Sequence, residues 1–91
     1  MEIILLESAL EDREYWIKTH NTKIMKRISM LLEDISAHPF TGIGKPEALK
    51  GKLRGKWSRR INDEHRLVYS VSNNMIYVYV YVFSMRYHYN T

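Results

Sequence analysis

The residues of this chain best suited to chemistry on an anion lie in its second half. Seven of its 14 Lys and Arg fall between Lys45 and Arg60, where Glu47 is the only acid. A localised basic stretch is the electrostatic footprint of a polyanion partner, or else a solvated basic face with no ligand. Next comes Arg66, which enters an otherwise apolar run, Leu67-Val68-Tyr69. A charge in such a place costs free energy unless it is paired or bound to an anion. Two readings are open: an ion pair with Asp63 or Glu64, or an arginine directed at phosphate. The chain then closes on "RYHYNT", with His88 between two tyrosines and Arg86 ahead of them. Chain ends usually fray, so this motif is either a loose end or an end that is tied down and used.

Other chemistries have little support. The sequence has no cysteine, so disulfides, thiolate zinc sites and cysteine nucleophiles are excluded. His20, His38, His65 and His88 are scattered without ligand spacing, and no metal or cofactor is expected. "GIGKPEA" carries Gly42 and Gly44 but lacks the Gly-Lys-Ser/Thr ending and the preceding strand of a phosphate loop. No serine elbow occurs. The apolar run at the N-terminus stops at Leu6, and Glu2 stands where a signal peptide needs positive charge. No segment is long enough to span a membrane. A cytoplasmic location is the expectation.

These residues need elements to position them. The 91 residues allow one compact domain, 1–91. "EIILLE" reads as a short buried strand. Ser8 and Glu11 have capping-box spacing and would open a first helix. In that helix Ala9, Leu10, Trp16 and Ile17 would form one apolar stripe. Asn21 would cap a second helix, whose Ile24, Ile28, Leu31, Leu32 and Ile35 follow amphipathic spacing until Pro39 ends it. His20 and His38 sit at the two predicted helix C-termini, where histidine favours the dipole. The glycine-rich stretch from Thr41 reads as loop, with a short helix near Pro46–Leu49. Strand patterns follow: "KWSRRIN", "HRLVYSV" and the alternating "IYVYVYVF". Asn73-Asn74 tolerates the positive φ angles of a tight hairpin. Ile76, Val78, Val80 and Val82 would face one way, and Tyr77, Tyr79, Tyr81 and Phe83 the other. The layout is α+β: two N-terminal helices packed on a small twisted antiparallel sheet.

Several of these segments, in order, resemble a known family. "GKPE", "LKG", "WSRRI", "EHRLVY" and "RYHY" match the YoeB toxins of the RelE/ParE superfamily over about half the chain, and the "YW" at Tyr15-Trp16 agrees as well. Any one motif alone would be weak, but five in order are specific. The resemblance implies a toxin of a bacterial type II toxin–antitoxin system that cleaves mRNA on translating ribosomes without metal. It implies a YefM-like antitoxin as partner and a homodimer. By motif, the catalytic set falls on Glu47, Arg66, His88 and Tyr89. Lys50 and Arg60 fall on supporting basic positions, and Lys52, Arg54, Arg59 and Arg86 extend the RNA-binding set.

The implied chemistry is self-consistent. The 2′-hydroxyl of RNA can attack the neighbouring phosphate. Cleavage needs a base for that proton, an acid for the departing 5′-oxygen, and positive charge where the phosphorane develops. Glu47, His88 and Arg66 supply these roles, with Tyr89 placing the RNA or the leaving group. A bound phosphate would encourage the proton His88 must carry, so activity is expected mainly on RNA already held. Two other functions compete: a non-catalytic superfamily toxin that binds a protein target such as DNA gyrase, and a basic RNA-binding module. Two features depart from the family pattern. About four extra residues precede the terminal motif, which a wider turn around Asn73 to Tyr77 or bulges in the Tyr-Val run must absorb. Asn90 and Thr91 follow the terminal tyrosine.

Overall fold

The computed structural model describes residues 2–80, with side chains as far as Val78. Strand β1 (Glu2–Leu5) leads through Leu6 into helix α1 (Glu7–Lys18), and α2 (Thr22–Ala37) follows. Strands β2 (Glu47–Ala48), β3 (Trp57–Arg60), β4 (Arg66–Ser72) and β5 (Met75–Val80) complete a five-stranded sheet in the order β1-β5-β4-β3-β2. Within β2–β5 every pairing is antiparallel, as expected, but β1 lies parallel to β5. The sheet is therefore mixed.

The helices start and stop for local reasons. Asn21 caps α2, its Oδ1 accepting from the Ile24 N–H at 3.2 Å. The capping box expected at Ser8 and Glu11 does not set the helix start: the cap falls two residues earlier, on Leu6, without a side-chain bond, and α1 begins at Glu7. The strand–helix link is only one residue long, which leaves Ser8 inside the first turn. The end of α1 is a Schellman arrangement: His20 N–H donates to Ile17 O and Asn21 N–H to Trp16 O. That places His20 at φ 55°, in the left-handed region that glycine usually fills.

α2 carries the core. Ile24, Ile28, Leu31 and Ile35 are buried and Leu32 is partly so, against Leu67 and Tyr69 of β4 and Ile76 and Val78 of β5. α1 contributes less than its pattern suggested. Ala9 and Trp16 are buried, but Leu10 and Ile17 are 47% and 42% exposed. Each lies one residue, about 100° of helix, past the buried pair, so the inward stripe is one residue wide.

The Gly-rich region is also built differently from expectation. Pro46–Leu49 is not helical; Glu47-Ala48 pairs with β3 as an edge strand, and the short turn is a 3₁₀ segment at Gly51–Leu53. Asn73 and Asn74 form the predicted two-residue hairpin, with φ 51° and 62°. Past it, Tyr69 pairs with Val78 but Val68 pairs with Val80, so Tyr79 is an extra residue in β5. The tight turn leaves the slack to the Tyr-Val run, and this bulge takes up one residue of it. It also shifts the β4–β5 register by one after Val78.

Candidate functional site

Sheet register decides which side each candidate occupies. Leu67 and Tyr69 pack under the helices, as do Trp57 and Arg59, their partners across β3. The alternate residues Ser58, Arg60, Arg66 and Val68 therefore belong to the face turned away from α1 and α2. Glu47 pairs with Ser58 and joins them. Glu47 and Arg66 are two strands and two residues apart, a Cα separation of roughly 12 Å from standard strand spacings. A glutamate and an arginine can close on one phosphate-sized group across that span.

Arg66 is 5% exposed. Its Nη1 donates to the main-chain oxygens of Asn62 at 2.9 Å and His65 at 3.1 Å. The open question from the sequence thus has a third answer: main-chain carbonyls, rather than Asp63 or Glu64, anchor this side of the guanidinium, and both acids are exposed. Arg60 stands directly across from Arg66. Arg60 itself is held at the main chain, its N–H donating to Gly44 O at 2.6 Å and its carbonyl accepting from Arg27 at 3.3 Å.

Lys50, Lys52 and Arg54 are all exposed on the turn that follows Glu47. Leu49, 6% exposed, pins the base of that turn, and its N–H donates to Lys56 O at 2.9 Å. The basic stretch is therefore a solvent-facing rim beside Glu47. Among the described residues, no three His, Asp or Glu side chains gather as metal ligands would.

Arg59 is not part of that rim. It is fully buried on the helix side. Nε donates to the Tyr69 hydroxyl at 3.1 Å, Nη1 to Asp34 at 2.6 Å and Ile43 O at 2.9 Å, and Nη2 to His38 O at 2.5 Å and Thr41 O at 2.8 Å. With all five donors used internally, nothing is left for RNA. The Tyr69 hydroxyl in turn donates to Pro39 O at 2.6 Å. This guanidinium ties the loop after α2 to the sheet. The signal was in the sequence: Trp57, Arg59 and Ile61 share the inward parity of β3, while Ser58 and Arg60 take the outward one.

Asp34 is the residue sequence reasoning missed. Its hydrogen bond with Arg59 holds its carboxyl below the usual range, against the opposing effect of burial. Burial pushes the Tyr69 hydroxyl up, partly offset by Arg59. Only the fold brings Asp34 of α2 beside Arg59 of β3. The two glycines of "GIGKPEA" belong to this arrangement. A Cβ on Gly42 would lie 2.0 Å from an Asp34 carboxylate oxygen, and one on Gly44 would lie 2.7 Å from Leu31 Cδ2. They let the loop pass close over α2 on its way to Glu47.

Arg86, His88 and Tyr89 lie outside the described residues. The structure therefore sets Glu47, Arg60 and Arg66 on one face of the sheet.

Residues 5–89 match the family model of the YoeB-like toxin of bacterial type II toxin–antitoxin systems. The chain belongs to that family. The match runs through the terminal "RYHY". A YoeB toxin of Synechocystis is 44% identical over 89 residues, covering 98% of each chain. A YoeB/ParE toxin structure from Agrobacterium tumefaciens superposes with a TM-score of 0.88 at 38% identity, covering 98% of this chain and all of that one. A YoeB toxin from Staphylococcus aureus, 41% identical and covering 98% of both chains, has been solved as a dimer (TM-score 0.84) and in a heterotetrameric complex with the antitoxin YefM (TM-score 0.83). The α+β fold is that of these toxins, with two helices on a five-stranded sheet.

Proposed function

We propose that this toxin is a ribosome-dependent mRNA endoribonuclease. The observation that carries the reading is the register that sets Glu47, Arg60 and Arg66 on the helix-free face beside the exposed Lys50, Lys52 and Arg54. In this mechanism Glu47 takes the proton of a 2′-hydroxyl. The 2′-oxygen attacks the adjacent phosphorus, and the negative charge of the phosphorane falls between Arg66 and Arg60. His88 gives its proton to the departing 5′-oxygen, with Tyr89 at the leaving group. The products are a 2′,3′-cyclic phosphate and a free 5′-hydroxyl, and every step uses side chains alone. Arg86 would add a further phosphate contact. The antitoxin partner is a YefM-like protein, and the active form is a homodimer, by analogy with the S. aureus toxin.

The test uses ribosomes translating a defined mRNA, with 5′ ends mapped by primer extension. The parent chain is expected to give discrete cuts, and Glu47→Ala and His88→Ala to reduce them by about 10²-fold or more, the usual contribution of a general acid or base. Absence of cutting by the parent chain would overturn the activity. Cutting that survives both substitutions would overturn the mechanism. Naked RNA is expected to be cut much more slowly than translated mRNA.

A further inference from the structure

The connection between β3 and β4 is built around one exposed asparagine. Asn62 Oδ1 accepts from the main-chain N–H of Glu64 at 2.9 Å and of His65 at 2.8 Å. An asparagine side chain that takes the N–H groups just ahead of it closes a tight turn. The Ile61 N–H donates to His65 O at 3.0 Å and shuts the same turn from its other end. Both ends are seated in the fold. Ile61 belongs to the core. The His65 ring shares the helix-side parity of Leu67 and Tyr69 and meets the Trp16 ring edge-on at 5.2 Å.

This turn aims a pair of carbonyls at one nitrogen. Arg66 Nη1 donates to Asn62 O at 2.9 Å and to His65 O at 3.1 Å. Those two oxygens flank the stretch of backbone that the Asn62 side chain fixes. Rotating either peptide would take its oxygen off Nη1. The anchor suits an arginine that serves an anion. Neutral carbonyls hold Nη1 through dipoles and bring no negative charge, whereas a carboxylate at that point would offset the charge a phosphorane requires. Asn62 is exposed and lies outside the hydrophobic core, so packing does not account for it.

We propose that Asn62 is a positioning residue for Arg66: its side chain holds the turn that presents both carbonyls to the guanidinium, and so fixes Arg66 at the phosphorane. The catalytic consequence rests on the nuclease reading, whereas the placement of Arg66 rests on these hydrogen bonds alone. Geometry at a reacting centre is costly to lose, since a misplacement of about 1 Å can slow a reaction by ~10²-fold. Asn62 carries no charge to hold RNA, so its effect falls on the rate of the chemical step.

The experiment has two arms. The first is single-turnover cleavage of ribosome-bound mRNA by excess toxin. Asn62→Ala is expected to lower the limiting rate by about tenfold or more, with a half-saturating concentration within about threefold of the parent's. Asn62→Ser keeps a neutral acceptor for the same N–H groups and should recover most of that rate. The second arm needs no activity. It follows the Nε–H signal of Arg66 in the ¹⁵N-labelled full chain, assigned by its loss in Arg66→Lys. The heteronuclear NOE of that signal should fall in Asn62→Ala and return in Asn62→Ser. An NOE unchanged in Asn62→Ala would overturn the proposal, whatever the rate. So would equal rates for the alanine and serine variants, or a loss confined to the half-saturating concentration. Absence of cutting by the parent chain would instead overturn the nuclease reading, and the NOE would still decide whether Asn62 places Arg66.

Discussion

At Arg59 the physical question is what a fully buried guanidinium is for. Its five donors meet Asp34, Tyr69 and three main-chain oxygens of the 38–43 loop. Removing one member of a buried charge pair costs about 3–5 kcal/mol, because the other is left uncompensated. Arg59→Ala is therefore expected to lower stability by about that amount, read as a shift of the urea midpoint at constant slope. Asp34 adds a pH dependence whose sign is fixed. Its folded pKa is held below the ordinary 3.8, so its contribution is present above that value and is lost as pH falls through the folded pKa. Asp34→Asn should be less stable at neutral pH and show a flatter acid limb below about pH 4 in urea titrations. From the sequence Arg59 and Arg60 belong to one RNA-binding set; pairing with β4 turns Arg59 inward and Arg60 outward. The identity of its acid partner was not legible, because residues 34 and 59 meet only in the folded chain.

Among the elements, two backbone positions make opposite predictions. His20 ends α1 in the left-handed region at φ 55°, which costs an L-residue with a Cβ about 1 kcal/mol or more. His20→Gly should raise the thermal midpoint by a few degrees. Gly44, at φ +78°, passes within 2.7 Å, measured from a built Cβ, of Leu31 Cδ2 and within 3.2 Å of Arg60 O. Gly44→Ala should destabilise by about 1–3 kcal/mol through strain and overpacking. It should also depress cleavage, since the loop carrying Glu47 starts there. The helix pattern of α2 and the Asn73-Asn74 turn were readable because both are local: one is a spacing, the other a pair of φ angles. The bulge at Tyr79 was anticipated only as slack to be absorbed. Its place depends on how β5 registers against β4, which no single-strand pattern encodes.

For the whole molecule, the exposed basic turn is the property that matters. The cations at Lys50, Lys52 and Arg54 stand on the turn beside Glu47. Association with the translating ribosome should weaken steeply with salt. Neutralising the triad with Lys50→Gln, Lys52→Gln and Arg54→Gln should lower the slope of log K against log salt by about 2, at roughly 0.7 per single-strand phosphate contact. An unchanged slope would remove these residues from the RNA interface. Because these side chains are solvent-exposed, the triple variant should keep its thermal midpoint within a few degrees, which separates binding from folding.

The sequence by itself determined α2, the hairpin turn, the family and the list of reactive side chains. Periodicity marks α2, paired asparagines mark the hairpin, and ordered motifs from "GKPE" to "RYHY" mark the toxin family. Only the tertiary structure decided which of those side chains share a surface. Seven basic residues look equivalent between Lys45 and Arg60, yet the pleat of β3 sends Arg59 into the core and Arg60 to the face of Glu47 and Arg66. Composition is a property of the chain, whereas sidedness comes from strand register, and register is fixed by pairings between residues far apart in sequence.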